Sequence, residues 1–302
     1  MSGKNKAFGK KTVVAIGKFD GVHTGHKKLL DTASGIAAEA GLESVCLVIA
    51  PKGGRYLLDL AGREEYIKDI GINSVYMQDL SAEFMSMSAE EFVGEYLVKK
   101  LNCAHVVVGY NFRFAKGRCA NADDLKRICG KENIQCTVIP EVNCIIDGEN
   151  LSVSSSNIRS FLQNGRVDVA AALLGRNYFL RGKVVLGKQL GRTIDFPTAN
   201  VDAFPGTVIP QKGVYATYTH IDGVAYLSVT NIGDNPTVNT KGNITVESNI
   251  FDFSQDIYGR EVCIEFLAKV RDEIKFSSVE KLREQIRRDK DYVSENYNIN
   301  NI

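Results

Sequence analysis

The sequence lacks three features that mark large classes of protein. It has no uninterrupted apolar run long enough to span a membrane, and no apolar stretch of the secretory type follows its Lys-rich first residues. It also has no excess of charge of one sign, because 37 Lys and Arg stand against 36 Asp and Glu for a formal net charge of +1. We therefore expect neither export nor a membrane span, and no global field that would draw the chain onto nucleic acid or lipid.

Cysteine is present, but not in a pattern that marks a metal or redox site. The seven cysteines are scattered, odd in number and include no C-x-x-C pair. This usage predicts reduced thiols and a cytoplasmic protein. The chain has 302 residues, of which 44% are hydrophobic and 24% charged. That length is ample for two cores at about 150 residues per domain.

The first half of the chain alternates short apolar runs with segments of helical spacing. The predicted strands are Thr12–Ile16, Val45–Ile49, Val75–Met77, Val106–Val108 and Thr137–Ile139. The predicted helices are a segment from Leu29 to Ala40, Glu64–Ile70, Ala89–Leu101 and Ala122–Cys129. Strands this apolar are typical of a parallel sheet that is covered on both faces. The sequence therefore predicts a doubly wound, Rossmann-like α/β domain.

The second half is rich in β-branched and aromatic residues separated by turn residues, which predicts a small sandwich or barrel. Its predicted strands are Lys183–Leu186, Val214–Tyr218, Ala225–Val229, Ile244–Ser248 and Val262–Phe266. Ser277 and Glu280 have the spacing of a capping box, which predicts the start of a C-terminal helix. Two helices, Asn157–Phe161 and Val167–Leu174, are predicted before the β-rich part. We place the domains at residues 1–173 and 178–302.

A glycine-rich turn follows the first predicted strand and leads into the first helix. Free N–H groups at the helix start and two imidazoles three residues apart can face one anion, which favours a phosphate site. Two other interpretations remain open: a capped turn with two surface histidines, and a metal site, although no Cys or carboxylate stands nearby at ligand spacing. The candidate residues of this turn are Gly17, Phe19, Asp20, Gly21, His23, Gly25 and His26.

Three segments of the first half carry a resemblance to a known family. The turn reads F-D-G-V-H-T-G-H, Gly109–Phe114 reads G-Y-N-F-R-F, and Val153–Arg159 reads V-S-S-S-N-I-R. Together they resemble the adenylyltransferase module of bacterial bifunctional riboflavin kinase/FAD synthetases, a member of the H-x-G-H nucleotidyltransferases. All three lie at predicted strand ends or helix starts, where ligands of open α/β sheets bind.

The resemblance implies a site that transfers AMP from ATP to FMN. The attacking FMN phosphate is already ionised, so the protein needs donors rather than a general base. His23 and His26 are implied catalytic contacts of the ATP phosphates, and Asn111 is implied to orient substrate. Ser155, Ser156 and Arg159 are implied to hold the leaving pyrophosphate, with Arg113 as a possible second anion contact.

The second half resembles the riboflavin kinase module of the same family. The segment Leu190–Asn200 reads L-G-R-T-I-D-F-P-T-A-N, Val246–Phe253 reads V-E-S-N-I-F-D-F, and the segments beginning at Asn231 and Val270 also match. The resemblance implies a small β-barrel in which Glu247 is the base for a ribityl hydroxyl. Thr198 and Asn200 are the implied Mg²⁺ ligands, and Gly191, Asn231 and Arg271 are implied to contact nucleotide or flavin.

Several residues depart from the family pattern. The segment after the second strand, at residues 49–54, lacks the histidine of a Phe-x-Pro-His-Pro motif. Ala115 replaces a glycine, which costs on the order of 1 kcal/mol if the position needs a positive φ. Asp195 also replaces a glycine, and its charge is expected to weaken ATP binding in a kinase that still works. Asn235, Val238 and Asn249 are the remaining departures.

The leading hypothesis is a bifunctional enzyme that converts riboflavin and ATP to FMN, and then FMN and ATP to FAD. It needs ATP with Mg²⁺, and riboflavin, FMN and FAD are its substrates and products. The alternatives are a paralogue that keeps only FMN adenylyltransferase activity, and a flavin-binding regulatory protein with decayed catalysis. No basic stripe or nucleic-acid motif is present, so small molecules are the expected partners.

Overall fold

The structure, a computed structural model, describes residues 9–50, 53–187, 196–234 and 244–297. Gly191, Asp195, Asn235 and Val238, which the sequence analysis singled out, lie outside the described residues. The chain divides into two compact units, Met1–Ser155 and Ser156–Ile302. Each unit is described by itself.

A five-stranded parallel sheet forms the centre of the first unit. Its strands are β1 (Thr12–Gly17), β2 (Glu43–Ala50), β3 (Ser74–Asp79), β4 (Cys103–Gly109) and β7 (Gln135–Ile139). The spatial order is β3-β2-β1-β4-β7, and every neighbouring pair is parallel. The apolar runs formed strands because both faces of the sheet are covered, so that β1 and β2 are almost entirely buried. The predicted doubly wound α/β fold is confirmed.

Helices connect these strands, and one of them differs from its prediction. The helices are α1 (Thr24–Ala40), α2 (Leu60–Asp69), α3 (Ala82–Ser86), α4 (Ala89–Glu91) and α5 (Ala122–Lys131). The predicted helix Ala89–Leu101 begins as α4 but continues as a π-helix over Phe92–Lys100. Its wider turn is visible where the Leu101 N–H donates to the Tyr96 carbonyl, five residues back.

The order of the strands determines where a ligand can enter the first unit. The chain moves outward from β1 to β3, then crosses back to place β4 on the other side of β1. The two connections that leave β1 and β4 therefore diverge at the carboxyl edge of the sheet. This switch point is where open α/β sheets bind ligands.

Two small ribbons of the first unit were not predicted. β5 (Arg113–Phe114) pairs with β6 (Ala120–Asn121), and β8 (Asn143–Ile146) pairs with β9 (Glu149–Ser152). Ala115 follows β5 with φ 64° and ψ 178°. The position therefore does need a positive φ, as the replacement of the family glycine suggested.

The second unit is a closed antiparallel barrel. Its strands are β10 (Tyr178–Val185), β11 (Ala199–Ala203), β12 (Gly213–Ile221), β13 (Val224–Asp234), β14 (Ile244–Ile250) and β15 (Glu261–Arg271), in the order β10-β11-β14-β13-β12-β15. The sequence analysis left a sandwich and a barrel as alternatives, and the structure has the barrel. Part of its interior is polar: Thr217 and Ser228 are fully buried, and their hydroxyls lie 2.8 Å apart. Each hydroxyl has hydrogen-bond partners, so burying it in the barrel interior costs little folding free energy.

Helices α6 (Ser155–Gln163) and α7 (Val167–Leu174) precede the barrel, and α7 packs against β10 and β15. The C-terminal helix α8 (Val279–Asn296) follows it. The predicted capping box is wrong by one residue, because the hydroxyl of Ser278, not Ser277, accepts the N–H of Lys281. Helix α8 buries Val293 against the outside of the barrel.

Candidate functional site

The first candidate site lies at the carboxyl ends of two adjacent strands. β1 ends at Gly17 and its parallel neighbour β4 ends at Gly109, so both strands deliver their following loops to one edge of the sheet. The loop after β1 carries the two histidines, and the loop after β4 carries Asn111. The structure thus brings two of the three predicted motifs to one edge.

The turn after β1 has an unusual backbone. Phe19, Gly21 and Val22 have φ values of 50°, 81° and 40°, a region that residues other than glycine rarely adopt. The Phe19 ring is fully buried and lies over Gly17, where an added Cβ would come within 3.1 Å of it. Such strain persists only where the surrounding structure holds it in place, and it concentrates at functional sites.

His23 and His26 form a stacked pair directly after this turn. His23 is the N-cap of α1, and its Nδ1 accepts the backbone N–H of His26 at 3.2 Å. The two rings stack with centroids 3.6 Å apart and an angle of 15° between their planes. A Cβ at Gly25 would lie 3.3 Å from the His23 ring, so a glycine lets the rings and the helix approach closely. Because Nδ1 of His23 is an acceptor, neutral His23 carries its proton on Nε2.

The surroundings of the His26 imidazole disfavour its charged form. Burial, and next the charges of His23 and Arg63, hold the pKa of His26 well below its usual value of 6.5. Its Nδ1 is buried and has no hydrogen-bond partner among the described residues. A buried polar atom without a protein partner is uncommon in a folded protein, and water, an ion or a ligand normally satisfies it.

Asp20 was predicted to contact the nucleotide, and the structure gives its side chain protein partners. Its Oδ1 accepts hydrogen bonds from the Arg63 Nη2 at 2.8 Å and from the Leu57 N–H at 3.0 Å. Ser155, at the start of α6, donates its hydroxyl to the Asp20 carbonyl at 2.8 Å. Ser155 is thereby fixed beside the turn. Arg63 was missed by the sequence analysis, because a single arginine in a helix usually faces solvent.

The remaining predicted residues of this site lie apart from the histidine pair or in the second unit. The amide oxygen of Asn111 lies close to Gly109, where an added Cβ would be 3.5 Å away. Arg113 is exposed and paired in register with Asn121 on the β5–β6 ribbon. Ser156 and Arg159 lie on α6 in the second unit, and their contact with pyrophosphate stays a prediction.

The second candidate site is a row of polar residues across three strands of the barrel. Glu247 of β14 is in direct register with Asn200 of β11 on one side and with Asn231 of β13 on the other. Residues in register project from the same face, and all three are half-buried. The structure therefore brings together the predicted base, one predicted Mg²⁺ ligand and a predicted substrate contact.

Thr198 precedes β11 and lies two residues from Asn200 along the chain. The segment before it is held by Asn249, whose amide donates to the Pro197 carbonyl at 2.8 Å. Asn249 replaces the histidine of the family, so its amide now supports the loop. On the other side of the row, the Asn200 amide lies against Gly187, where a Cβ would overlap it.

Arg271 was predicted as a ligand contact, and most of its guanidinium is engaged within the protein. Its Nε lies 3.0 Å from both oxygens of Asp289 on α8, and its Nη2 lies 2.7 Å from Oδ2. Gln285 adds a hydrogen bond to the same carboxylate at 2.8 Å. Asp289 is only 4% exposed, so this ion pair is largely buried. Any contact of Arg271 with substrate stays a prediction.

Comparisons with known proteins match both units. The riboflavin kinase family model matches residues 174–297, and the FAD synthetase family model matches residues 5–157. The bifunctional riboflavin kinase/FMN adenylyltransferase of Bacillus subtilis is 36% identical over 93% of this chain and 90% of that protein. The protein of the same name from Escherichia coli is 32% identical over 92% of this chain and 90% of that protein.

A solved structure described as a macrolide-efflux protein from Streptococcus pneumoniae is also similar. It is 32% identical, with a TM-score of 0.87, and the similarity covers 98% of this chain and 97% of that one. In the part of the chain that the structure describes, no helix is both long and apolar enough to cross a membrane. The family models and the named relatives agree with each other and not with the description of that structure as an efflux protein. The chain belongs to the family of bifunctional riboflavin kinase/FMN adenylyltransferases.

Proposed function

We propose that the barrel unit transfers the γ-phosphate of ATP to riboflavin, giving FMN and ADP, and that the α/β unit transfers AMP from a second ATP to FMN, giving FAD and pyrophosphate. The observation that carries this proposal is that the FAD synthetase match covers almost only the first folded unit and the riboflavin kinase match lies in the second. The alternatives of one retained activity or of a regulatory flavin binder are not favoured, because the relatives are bifunctional by name.

The kinase reaction needs a base, because its nucleophile is a neutral hydroxyl of riboflavin. Glu247 is the carboxylate in the polar row of the barrel, between Asn200 and Asn231. In this role it accepts the hydroxyl proton while the oxygen attacks the γ-phosphate of ATP. The flanking asparagines offer amide groups that hold substrate without adding charge next to the base.

The kinase reaction also needs a divalent cation on the ATP phosphates, and the residues present fit one. Mg²⁺ prefers hard oxygen ligands, and it commonly takes one or two from protein and the rest from phosphate and water. Thr198 offers a hydroxyl and Asn200 an amide oxygen next to Glu247. Among the described residues, no cluster of three His, Cys, Asp or Glu side chains could hold a metal alone. This set of ligands is suited to a cation that arrives with ATP and draws charge from its phosphates.

Adenylyl transfer requires alignment and charge stabilisation without a base, because the FMN phosphate is already ionised. Nε2–H of His23 is a donor suited to the ATP phosphates, and Nδ1 of His26 becomes a second one in the tautomer that carries the proton on Nδ1. Both lie at the N-terminus of α1, where the helix dipole favours anions. Ser155, Ser156 and Arg159 take the departing pyrophosphate in this proposal, and Asn111 orients the substrate.

The domain limits and location stay part of the proposal. We place the adenylyltransferase domain at residues 1–173 and the kinase domain at 178–302. Within the second unit, the Gln211 N–H donates to the Leu162 carbonyl at 2.8 Å, so α6 contacts the segment before β12.

All seven cysteines are free thiols, which supports a cytoplasmic location.

One assay tests the proposed function. Purified protein is incubated with ATP, Mg²⁺ and either riboflavin or FMN, and the flavins are separated by chromatography. We expect FMN and FAD from riboflavin, and FAD from FMN. FAD from FMN alone would reduce the proposal to a single activity, and bound but unchanged flavin would reject it. Omission of Mg²⁺, with EDTA present, should abolish FMN formation.

A further inference from the structure

Arg63 of α2 is a buried arginine, and two of its nitrogens donate hydrogen bonds to the turn before the histidine pair. Its side chain is 1% exposed. Nη1 donates to the Lys18 carbonyl at 3.0 Å, and Nη2 donates to Asp20 Oδ1 at 2.8 Å. Nε donates to the Leu58 carbonyl at 2.8 Å, just before α2. The guanidinium therefore links the start of α2 to the turn at Lys18 and at Asp20, on either side of Phe19.

The partner of Arg63 is also buried and sits in the middle of the strained backbone. Asp20 is 6% exposed and lies between Phe19 and Gly21, both of which have positive φ. Its Oδ1 is shared between Arg63 and the Leu57 N–H. A buried ion pair costs desolvation energy, so pairs of this kind are weak evidence for stability. A backbone in an unfavourable conformation, by contrast, needs surroundings that hold it in place.

We propose that Arg63 is a positioning residue for adenylyl transfer, because it holds, through Asp20 and the Lys18 carbonyl, the turn that presents His23 and His26. This inference rests on the proposed function of the α/β unit. His23 follows the last strained residue, Val22, directly, so any relaxation of the turn moves the His23 ring and the start of α1. The stacked His26 ring moves with it.

Arg63 acts on His26 through its charge as well. The charged groups that lower the pKa of His26 are His23 and Arg63, and they add to the larger effect of burial. A variant that keeps a positive charge at position 63 retains this effect, whereas a neutral variant loses it. The two roles of Arg63, geometry and charge, are therefore separable by substitution.

Three variants test the proposal in the full chain. Arg63→Lys keeps the charge, but one ammonium group cannot serve three acceptors arranged for a planar guanidinium. Arg63→Met removes both the charge and the hydrogen bonds. Arg127→Met is the matched control, because Arg127 is an exposed arginine of the same unit that pairs with Asp124 at 3.4 Å. Steady-state FAD formation from FMN, FMN formation from riboflavin, thermal unfolding and the His26 ring titration by NMR are measured for each.

We expect kcat for FAD formation to fall at least tenfold in Arg63→Lys, with the KM for FMN within threefold of wild type. FMN formation should be unchanged, and Arg127→Met should match wild type in both reactions. The His26 titration should move to higher pH in Arg63→Met and stay in place in Arg63→Lys. A purely structural role predicts no such difference between the two variants.

Two outcomes would overturn the proposal. A folded Arg63→Lys variant with kcat within twofold of wild type would show that the turn does not depend on the guanidinium. An Arg63→Lys variant without a cooperative unfolding transition would assign Arg63 to the stability of the unit instead. If the wild-type chain forms no FAD from FMN, the proposed function fails, and the His26 titration in Arg63→Met still decides whether Arg63 acts on the histidine.

Discussion

Glu247 and Asn200 are direct neighbours across two antiparallel strands of the barrel. Their register places a carboxylate and an amide on one face, about 5 Å apart at Cβ in such pairs. Asn231 extends the row on the other side of Glu247. The pairing of β11, β14 and β13 thus brings together, from distant parts of the sequence, the groups that we propose for phosphoryl transfer to an alcohol.

Glu247→Gln should lower the rate of FMN formation by about 10²–10⁴-fold, because an amide cannot accept the ribityl proton. The substitution keeps the size of the side chain, so thermal unfolding should not change. Glu261→Gln is the control, since Glu261 is an exposed residue of β15. Kinase turnover is measured by the appearance of FMN. Turnover within threefold of wild type would remove Glu247 from its role as base.

Ala115→Gly should stabilise the protein by about 1 kcal/mol, because Ala115 has φ 64° and ψ 178°, a conformation that favours glycine. Urea unfolding of the first unit measures the change. Ala38→Gly, at an exposed position in α1, is the matched control and should destabilise by about 1 kcal/mol. The same change from alanine to glycine should thus raise the free energy of unfolding at position 115 and lower it at position 38. A loss of stability in Ala115→Gly would contradict this explanation.

Asp289→Asn should impair the kinase from a distance, because Asp289 holds the Arg271 guanidinium through two nitrogens. We expect a loss of about 1–3 kcal/mol of stability and at least a tenfold drop in FMN formation, with FAD formation from FMN unaffected. Glu284→Gln breaks the exposed pair with Arg288 on the same helix and should change neither. Normal kinase activity in Asp289→Asn would show that Arg271 needs no anchor.

His26 should remain neutral as the pH falls below 6.5, since burial and neighbouring positive charge lower its pKa in the folded chain. In the unfolded chain His26 titrates near its usual value of about 6.5. Below that pH the unfolded chain binds the additional proton, so acid conditions reduce stability at this group. A bound triphosphate supplies negative charge and should raise the pKa of His26. Histidine NMR with a non-hydrolysable ATP analogue measures this shift, and an unchanged titration would place the triphosphate elsewhere.

Much of the fold was predictable because its signals are local. The apolar runs of β1, β2 and β4 and the turn residues between the barrel strands indicate their own structure. The π-helix at Phe92–Lys100 was not predictable, because its sequence has ordinary helical spacing and only packing selects the wider turn. β11 was missed since its polar residues Asn200 and Asp202 suit a loop as well as a strand.

The candidate residues His23, His26 and Glu247 were singled out from short motifs, and their catalytic roles stay predictions. The structure places the two histidines at the start of α1 and Glu247 in the polar row of the barrel. Arg63 could not be identified from the sequence, because its proposed role depends on burial and on a contact with Asp20, 43 residues away. The engagement of Arg271 by Asp289 was missed for the same reason.

The central claim is that one chain catalyses two separate ATP-dependent reactions, of which only the kinase reaction needs a base. The most direct test compares His26→Ala and Glu247→Gln, with each folded variant given riboflavin or FMN in the presence of ATP and Mg²⁺. We predict that Glu247→Gln forms FAD from FMN but little FMN from riboflavin, and that His26→Ala forms FMN but little FAD. Equal loss of both reactions in either variant would contradict the account.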